Sequence, residues 1–393
     1  MSDARDRSGG ADLVRALESE WQGALDRVLR PLGYASADVG RLAPRVVELS
    51  RAYNEGTAEG RKSKLPLEAR VAFSFPRDVP KGTAAVREIV ADLEPPLRVV
   101  DLGAGLGAMT WGLARALEAA GKRGRVDAVL VDEDPDVLRA AAAIAREAPR
   151  SAIDLAVTTR TGTVHDFVPE RADVVFLGQV LSEMDLRLEA AARVVEHAAL
   201  IERLQEQARF VVVVEPALRD RTRHLHAVRD ALAARGVSIA APCLHASACP
   251  ALAIEDDWCH EDLAALDLPP WVTPLAKAAG LRWQGLTFSY LVLQRDPIAR
   301  PAPAAGTIRF RVTSDLLRSK GKVELFACCE DGRRPRIRRL ERHGSELDAL
   351  CRGDVVTLTN TERDGEQGER ELPFDERGRI ADHVTIDVGP VRR

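Results

Sequence analysis

The sequence predicts an α/β fold in which a mostly parallel sheet carries helices on both faces, preceded by a helical region and followed by a small β-rich domain. Three observations support this prediction. Apolar residues recur every four positions near the start of the chain, apolar strands alternate with amphipathic helices from about residue 80, and short strand-like segments follow a proline-rich stretch at 297–306. Alternating strands and helices imply a parallel sheet covered on both sides.

The chain divides into three predicted segments. Residues 1–75 are expected to be helical, because large apolar residues lie four positions apart and mark one face of a helix. These are Leu13, Leu17, Trp21, Leu25 and Leu29. Residues 76–297 form the predicted sheet domain, with a cysteine-rich insertion at 241–262. Residues 298–393 form a β-rich and arginine-rich C-terminal domain.

The predicted strands of the sheet domain are "LRVVDLG", "VDAVLVDED", "ADVVFLGQVL" and "RFVVVVEPAL", and helical segments such as "AMTWGLARALEAAG" and "PDVLRAAAAIAREA" separate them. The four valines at 211–214 suit a strand that is buried on both sides. After the cysteine-rich stretch, "PPWVTPLAKAAGL" is expected to be a helix and "LTFSYLVLQRD" a strand. Beyond 306, "TIRFRVTS", "GKVELFACC" and "DVVTLTN" are the predicted strands of the C-terminal domain.

The composition is that of a soluble protein, with 46% hydrophobic and 30% charged residues. The sequence has no apolar run of about 18 residues and no signal or transit pattern at its start, so we expect a cytoplasmic protein. Six cysteines in a reducing cytoplasm favour metal binding over disulfides. The net charge of −4 argues against a generally cationic nucleic-acid coat and leaves a local basic face open. The sequence leaves the oligomeric state open, and a monomer is the favoured expectation.

A glycine-rich turn joins the first predicted strand to its helix. The segment "VDLGAGLGA" contains Asp101, Gly103, Ala104, Gly105 and Gly107. Glycines permit a tight turn, and the following helix offers unpaired N–H groups. The G-x-G-x-G spacing differs from the dinucleotide pattern G-x-G-x-x-G, and the Gly-Lys-Ser/Thr of triphosphate loops is missing.

This turn and the acid that ends the next strand, Asp132, resemble the S-adenosylmethionine-binding half of a class I methyltransferase, which is a Rossmann-like fold. A carboxylate at that position can accept hydrogen bonds from two ribose hydroxyls. Further side chains of the pocket are expected from His165 and Asp166 after the third strand and from Gln179 after the fourth. Glu183 or Asp185 could act as a base, although a structural role is favoured for each, so the catalytic residues stay unassigned.

The stretch "APCLHASACPALAIEDDWCH", residues 241–260, contains three of the six cysteines and lacks the periodic apolar pattern of a buried element. The spacing of Cys243, Cys249 and Cys259 differs from the short knuckles of structural zinc sites. Three thiolates need a fourth ligand, and the candidates are His245, His260, Cys351 and the Cys328–Cys329 pair. Four thiolates would suit an iron–sulfur cluster, and zinc with a histidine ligand is the alternative.

The order Pro-Cys-x-His, Cys-Pro and Asp-Trp-Cys-His resembles the methyltransferase-like family of mitochondrial small-ribosomal-subunit assembly factors and their bacterial relatives. With "VDLGAGLGA", "VVVVEPAL", "LTFSYLVLQR" and "CCEDG" in the same order, the resemblance covers about residues 95–345. It implies bound S-adenosylmethionine and a [4Fe–4S] cluster held by Cys243, Cys249, Cys259 and a cysteine of the pair, with Cys328 favoured over Cys329. Such a cluster would act as a structural clasp, because ligand binding contributes to folding.

The segment "GRRPRIRRLERHG" predicts a basic strand. An alternating strand can present guanidinium groups to phosphates, although a solvated strand face is the alternative. The candidate RNA contacts are Arg333, Arg334, Arg336, Arg338 and Arg339. The family resemblance implies contact with small-subunit ribosomal RNA and favours RNA binding. Two functions remain open. The protein could be an active methyltransferase that acts on rRNA or a ribosomal protein, or an assembly factor that transfers no methyl group. A small-molecule methyltransferase is the least favoured hypothesis.

Overall fold

The computed structural model describes residues 13–54, 65–167, 169–264, 266–297, 304–360, 373–380 and 383–388. Most of the proline-rich stretch at 297–306 and most of the C-terminal segment 361–393 lie outside these ranges. The chain forms two compact units. The first contains the described residues up to Pro216 and Leu263–Phe288, and the second contains Ala217–Asp262 and the described residues from Ser289 onward.

Helices dominate the start of the first unit, as predicted. They are α1 (Ser19–Leu29), α2 (Val39–Asn54), α3 (Leu67–Ala69), a π-helical turn (Arg70–Ser74) and α4 (Phe75–Val86). The first helix begins at Ser19 rather than near Leu13. Leu13 and Leu17 are nevertheless buried, so the four-residue spacing marks buried positions that extend beyond the helix itself.

Among the described residues, five parallel strands form the main part of the sheet in the first unit. In chain order the elements are β1 (Leu97–Leu102), α5 (Ala108–Ala119), β2 (Gly124–Asp132), α6 (Pro135–Glu147), β3 (Ile153–Thr161), β4 (Ala172–Gly178), α7 (Ala190–Gln207) and β5 (Ala208–Glu215). The strand order is β3-β2-β1-β4-β5. Because successive residues of β4 and β5 are buried, both faces of the sheet are covered, which confirms the predicted mostly parallel α/β fold.

The N-terminal helices share a core with the helices of this sheet. The ring of Trp21 on α1 meets that of Trp111 on α5 edge-on, with centroids 4.9 Å apart, and lies 5.8 Å from that of Phe75 on α4. These three residues belong to one apolar cluster. The predicted helical region therefore packs within the first unit.

The chain next enters the second unit with α8 (Arg219–Ala234), β6 (Ser238–Ala241) and β7 (Glu261–Asp262), returns to the first unit with α9 (Val272–Ala278), and continues into β8 (Thr287–Gln294). β6 pairs antiparallel with β8. Helix α8 was not predicted. None of the helices in the described part of the chain has the length and apolar character that a membrane crossing requires.

A separate antiparallel sheet forms the C-terminal part of the second unit, which confirms the predicted β-rich region. Its strands are β9 (Thr307–Val312), β10 (Leu317–Ser319), β11 (Lys322–Cys329), β12 (Arg336–Leu340), β13 (Val355–Asn360) and β14 (Val384–Val388). The order is β10-β11-β9-β13-β14, and β12 pairs with β11. Inward residues such as Phe310, Leu325 and Leu358 are fully buried and form its core. Short 3₁₀ turns occur at Arg30–Leu32, Val90–Asp92, Pro250–Ala253, Glu341–His343 and Glu346–Ala349.

Candidate functional sites

A cavity of about 430 Å³ lies at the carboxyl ends of β1, β2 and β4 in the first unit. We call it the glycine-turn cavity. Its walls include six of the nine predicted cofactor-binding residues, namely Asp101, Gly103, Ala104, Gly105, Asp132 and Gln179. The position agrees with the rule that ligands of doubly wound sheets bind at the carboxyl ends of the strands.

The glycine turn needs its glycines because its backbone is left-handed and crowded. Gly103 and Gly105 have φ angles of +65° and +55°, and a Cβ on Gly103 would lie 2.6 Å from Cγ2 of Val180. The Gly105 N–H donates to Oδ2 of Asp132 at 2.8 Å, and the Asp134 N–H donates to Oδ1 of Asp132 at 3.0 Å. Asp132 therefore fixes the turn from the neighbouring strand.

Asp101 places a buried carboxyl group in the wall of the cavity. Its Oδ2 accepts hydrogen bonds from the hydroxyl and the backbone N–H of Thr110, at 2.9 and 3.3 Å. Its Oδ1 is buried and has no hydrogen-bond partner among the described residues. Burial raises the pKa of Asp101 to about 7, against the lowering effect of the Thr110 hydrogen bonds. A cationic ligand could supply the missing partner.

The loop after β4 is shaped by a buried acid at the end of β5. The Glu215 carboxylate accepts hydrogen bonds from the backbone N–H groups of Leu181 at 2.9 Å and Ser182 at 3.1 Å, and burial raises its pKa to about 7. Within this loop, Gln179 and Asp185 have φ angles of +61° and +54°. Glu215 thus positions the loop that brings Gln179 and Glu183 to the cavity.

Three predicted cofactor residues lie outside the cavity walls. Gly107 caps α5 with a φ angle of +80°, and Asp166 accepts a hydrogen bond from the Thr163 hydroxyl at 2.7 Å. The His165 Nε2 lies 3.3 Å from one carboxylate oxygen of Asp185, and the buried His197 has its Nε2 3.3 Å from the other. Burial lowers the pKa of His197, which keeps it neutral near pH 7. Of the two candidate bases, only Glu183 lines the cavity.

A second cavity, of about 50 Å³, lies wholly within the second unit, and we call it the cysteine cavity. Its walls include the four predicted metal ligands, Cys243, Cys249, Cys259 and Cys328, together with His245 and His260. Cys329 is instead fully buried in the core of the antiparallel sheet, and Cys351 is exposed. Adjacent residues of a strand point to opposite faces, which is why Cys328 and Cys329 of β11 have different surroundings.

Burial disfavours the ionised form of three of the cavity thiols, those of Cys249, Cys259 and Cys328. Burial raises the pKa of Cys249 to about 12, and it also raises the pKa values of Cys259 and Cys328. Metal binding would therefore release protons. Within the described ranges, no group of three or more His, Cys, Asp or Glu side chains is arranged to hold a metal ion.

Side chains of helix α8 hold the cysteine-rich insertion at 241–262, called the cysteine-rich loop below, in place. The guanidinium of Arg223 donates to the backbone carbonyls of four residues, Ala251, Leu252, Ile254 and Asp257. The Asp230 carboxylate accepts the Cys249 N–H at 2.9 and 3.0 Å, and the His226 Nε2 lies 3.1 Å from the Cys259 carbonyl oxygen. Polar groups of a helix therefore fix this loop, which accounts for its lack of an apolar pattern.

The structure separates the five predicted RNA-contacting arginines into two groups. Arg334 has a side chain only 9% exposed and donates to both carboxylate oxygens of Asp257, and Arg339, 4% exposed, is paired with Glu346. These two are therefore not part of an accessible basic surface. Of the five, Arg333 and Arg336 are exposed and Arg338 is partly exposed, and Arg333 and Arg336 are paired at the surface with Asp331 and Glu324.

The strand order and the glycine turn define a class I methyltransferase-like protein. A family model described as "Mitochondrial small ribosomal subunit Rsm22" matches residues 81–352, and the chain belongs to this family. No curated protein sequence matches the chain significantly.

Among solved structures, the chain is similar to WbdD, with 13% identity, a TM-score of 0.30 and coverage of 74% of this chain; the match spans only 49% of the WbdD chain. It is also similar to the plantazolicin methyltransferase BpumL in complex with SAH, with 10% identity, a TM-score of 0.35 and coverage of 66% of this chain and 98% of that one. A third similar structure is precorrin-6y C5,15-methyltransferase from Geobacter metallireducens, with 13% identity, a TM-score of 0.30 and coverage of 54% and 87%.

Proposed function

We propose that this chain binds S-adenosylmethionine in the glycine-turn cavity and acts on, or assists the assembly of, the small ribosomal subunit. The observation that carries the proposal is that the family match at 81–352 contains both the glycine turn and the four cysteines. The cavity supports donor binding, because its two strand-end carboxyl groups, Asp101 and Asp132, suit the cationic and ribose parts of the donor.

Calorimetric titration of the full chain with S-adenosylmethionine tests the first half of the proposal. Saturable binding is expected, and the Asp132→Ala variant should bind far more weakly because it loses both the ribose acceptor and the hydrogen bond to Gly105. Incubation of methyl-labelled donor with small ribosomal subunits then separates the two forms of the function. Label in rRNA or ribosomal protein indicates an active methyltransferase, whereas binding without label indicates an assembly factor.

We further propose that the cysteine cavity holds a [4Fe–4S] cluster, ligated by Cys243, Cys249, Cys259 and Cys328. Four thiols in one cavity match the ligand set of such clusters. Arg311, whose guanidinium donates to the backbone carbonyls of Pro242 and Gly353, also lines this cavity, and a buried cation favours a negatively charged, thiolate-ligated group. The cluster would supply a clasp between residues 243–259 and strand β11, two segments of the same unit.

Anaerobic purification followed by iron and acid-labile sulfide analysis tests this assignment. About four irons and four sulfides per chain are expected. Cys328→Ser should lower both counts sharply, whereas Cys351→Ser, at an exposed cysteine outside the cavity, should leave them unchanged. One zinc per chain without sulfide would instead support the zinc alternative with His245 or His260 as a ligand.

We also propose that contact with rRNA uses the exposed arginines of β12 and the turn before it. Charge reversal at Arg336 and Arg338 should weaken RNA binding and reduce its salt dependence, since each lost phosphate contact removes about one unit of slope. The double variant Arg146→Glu and Arg203→Glu, at exposed positions on α6 and α7 in the first unit, changes the net charge by the same amount and serves as the control. Equal effects of the two changes would count against this surface.

A further inference from the structure

The glycine-turn cavity has an unusual balance of charge. Of the described residues in its walls, Arg70 alone carries a cationic side chain. Six wall residues carry carboxyl groups, namely Asp78, Asp101, Asp132, Glu133, Asp134 and Glu183. A ligand that fits these walls would place positive charge near the carboxyl groups and any negative charge next to Arg70.

The guanidinium of Arg70 lies directly over the glycine turn. Its Nη2 is 2.7 Å from the position that a Cβ on Gly105 would occupy, so the absence of a side chain at Gly105 makes room for it. The neighbouring charged groups are paired with one another, Arg45 with Glu68 and Lys81 with Asp78 at 2.8 Å. Among the residues that the structure describes, none of the carboxylates is paired with Arg70.

The local backbone supports a functional role for this position. Arg70 is the first residue of the π-helical turn Arg70–Ser74, between α3 and α4. Such turns are rare and occur frequently at functional sites, because the widened turn displaces a side chain from its regular helical position. Arg70, Ser74 and Phe75 from this region all line the cavity.

We propose that Arg70 is the carboxylate-recognition residue of the glycine-turn cavity and binds the α-carboxylate of S-adenosylmethionine. The inference rests on the proposed donor binding and adds the residue that selects an adenosyl amino acid. S-adenosylmethionine carries two positive charges, a sulfonium and an ammonium, and one carboxylate, which matches walls with several carboxyl groups and one arginine. A guanidinium binds a carboxylate with two parallel hydrogen bonds, a geometry that lysine cannot reproduce.

The test compares two ligands that differ only in this carboxylate, S-adenosylmethionine and decarboxylated S-adenosylmethionine, by calorimetric titration of the full chain. Wild-type protein should bind the complete donor about 10- to 100-fold more tightly, as expected for a charge-assisted hydrogen bond. Arg70→Gln should lose this preference by weakening only the complete donor, and its unchanged affinity for the decarboxylated ligand would show that the cavity is intact. Arg51→Gln, at an exposed position on α2 outside the cavity, should retain the preference.

The outcomes separate this inference from the proposed function. If wild-type protein binds neither ligand, donor binding fails and the role of Arg70 fails with it. If wild-type protein binds both ligands equally, or if Arg70→Gln weakens both by the same factor, donor binding stands and carboxylate recognition by Arg70 is overturned. If Arg70→Gln does not fold, Arg70→Lys is tested instead. If Arg70→Lys prefers S-adenosylmethionine over the decarboxylated ligand as strongly as the wild-type protein does, the proposal is overturned.

Discussion

The ionisation of Asp101 links ligand binding in the glycine-turn cavity to pH. Its carboxyl group is buried, with one oxygen bonded to Thr110 and the other without a hydrogen-bond partner among the described residues. Burial raises its pKa from 3.8 to about 7, so an appreciable fraction is protonated near neutrality. A bound ammonium or sulfonium group would favour the ionised form, and ligand binding and proton release are therefore linked.

We expect the affinity for S-adenosylmethionine to fall as the pH drops below about 7, by up to tenfold per pH unit. Asp101→Asn should bind weakly and without this pH dependence, because it cannot ionise.

The stability of the unliganded protein should show the opposite dependence on pH. A raised folded-state pKa stabilises the protein at low pH, and Asp101 loses that contribution as the pH rises from about 4 to about 7, by up to about 1.4 kcal/mol per unit. Calorimetry and denaturant unfolding of the two proteins at several pH values measure both trends, and identical pH profiles would contradict the assignment.

Single residues also show what the sequence could and could not predict. The alternation of side chains along a strand accounts for Cys328 in the cysteine cavity and Cys329 in the core, and it likewise places Arg339 inward with Ile337. Applied to the basic strand, the same rule would have excluded Arg339 from the RNA surface. Arg70 could not be predicted, because it belongs to no motif and only the fold brings it to the glycine turn.

At the scale of elements, the strands of the first unit were predictable and helix α8 was not. The valine-rich strands are apolar along their length because both faces of the sheet are covered. Helix α8 instead directs buried polar groups, His226 and Arg229 among them, towards the cysteine-rich loop. Hydrophobic periodicity is weak in such a helix, since hydrogen bonds to backbone carbonyls replace much of the apolar contact.

We expect Arg223→Lys to destabilise the cysteine-rich loop, because one ammonium group cannot reach all four carbonyls that Arg223 contacts from α8. The free energy of unfolding should fall by about 1–3 kcal/mol, and thiol reagents should modify the cavity cysteines faster in metal-free protein. Arg219→Lys is the matched control, because Arg219 lies on the same helix and pairs with Asp256 of the same loop at the surface, where ion pairs contribute little. Equal effects of the two variants would contradict the role given to Arg223.

At the scale of the whole molecule, the path of the chain differs from the simple order of domains that the sequence suggested. The chain enters the second unit after Pro216, returns for Leu263–Phe288, and enters it again. The cysteine-rich insertion therefore belongs with the C-terminal strands, although the proline-rich stretch at 297–306 suggested a boundary between them. Such an arrangement depends on contacts distant in sequence, which local composition does not encode. Each cavity is nevertheless built within one unit.

This division leads us to expect that each ligand stabilises the unit that binds it. S-adenosylhomocysteine should slow amide hydrogen exchange at 101–107 and 178–184, because a ligand that binds only the folded state stabilises it by mass action. Amide exchange in β13 of the second unit should stay unchanged.

Removal of metal from anaerobically purified protein should instead accelerate amide exchange at 243–259 and in β11, with β1 and β4 as the internal controls. Exchange followed by mass spectrometry measures all these segments in one experiment. Slower exchange in β13 with S-adenosylhomocysteine would show that the two cavities are energetically coupled, and no change at 101–107 would contradict donor binding itself.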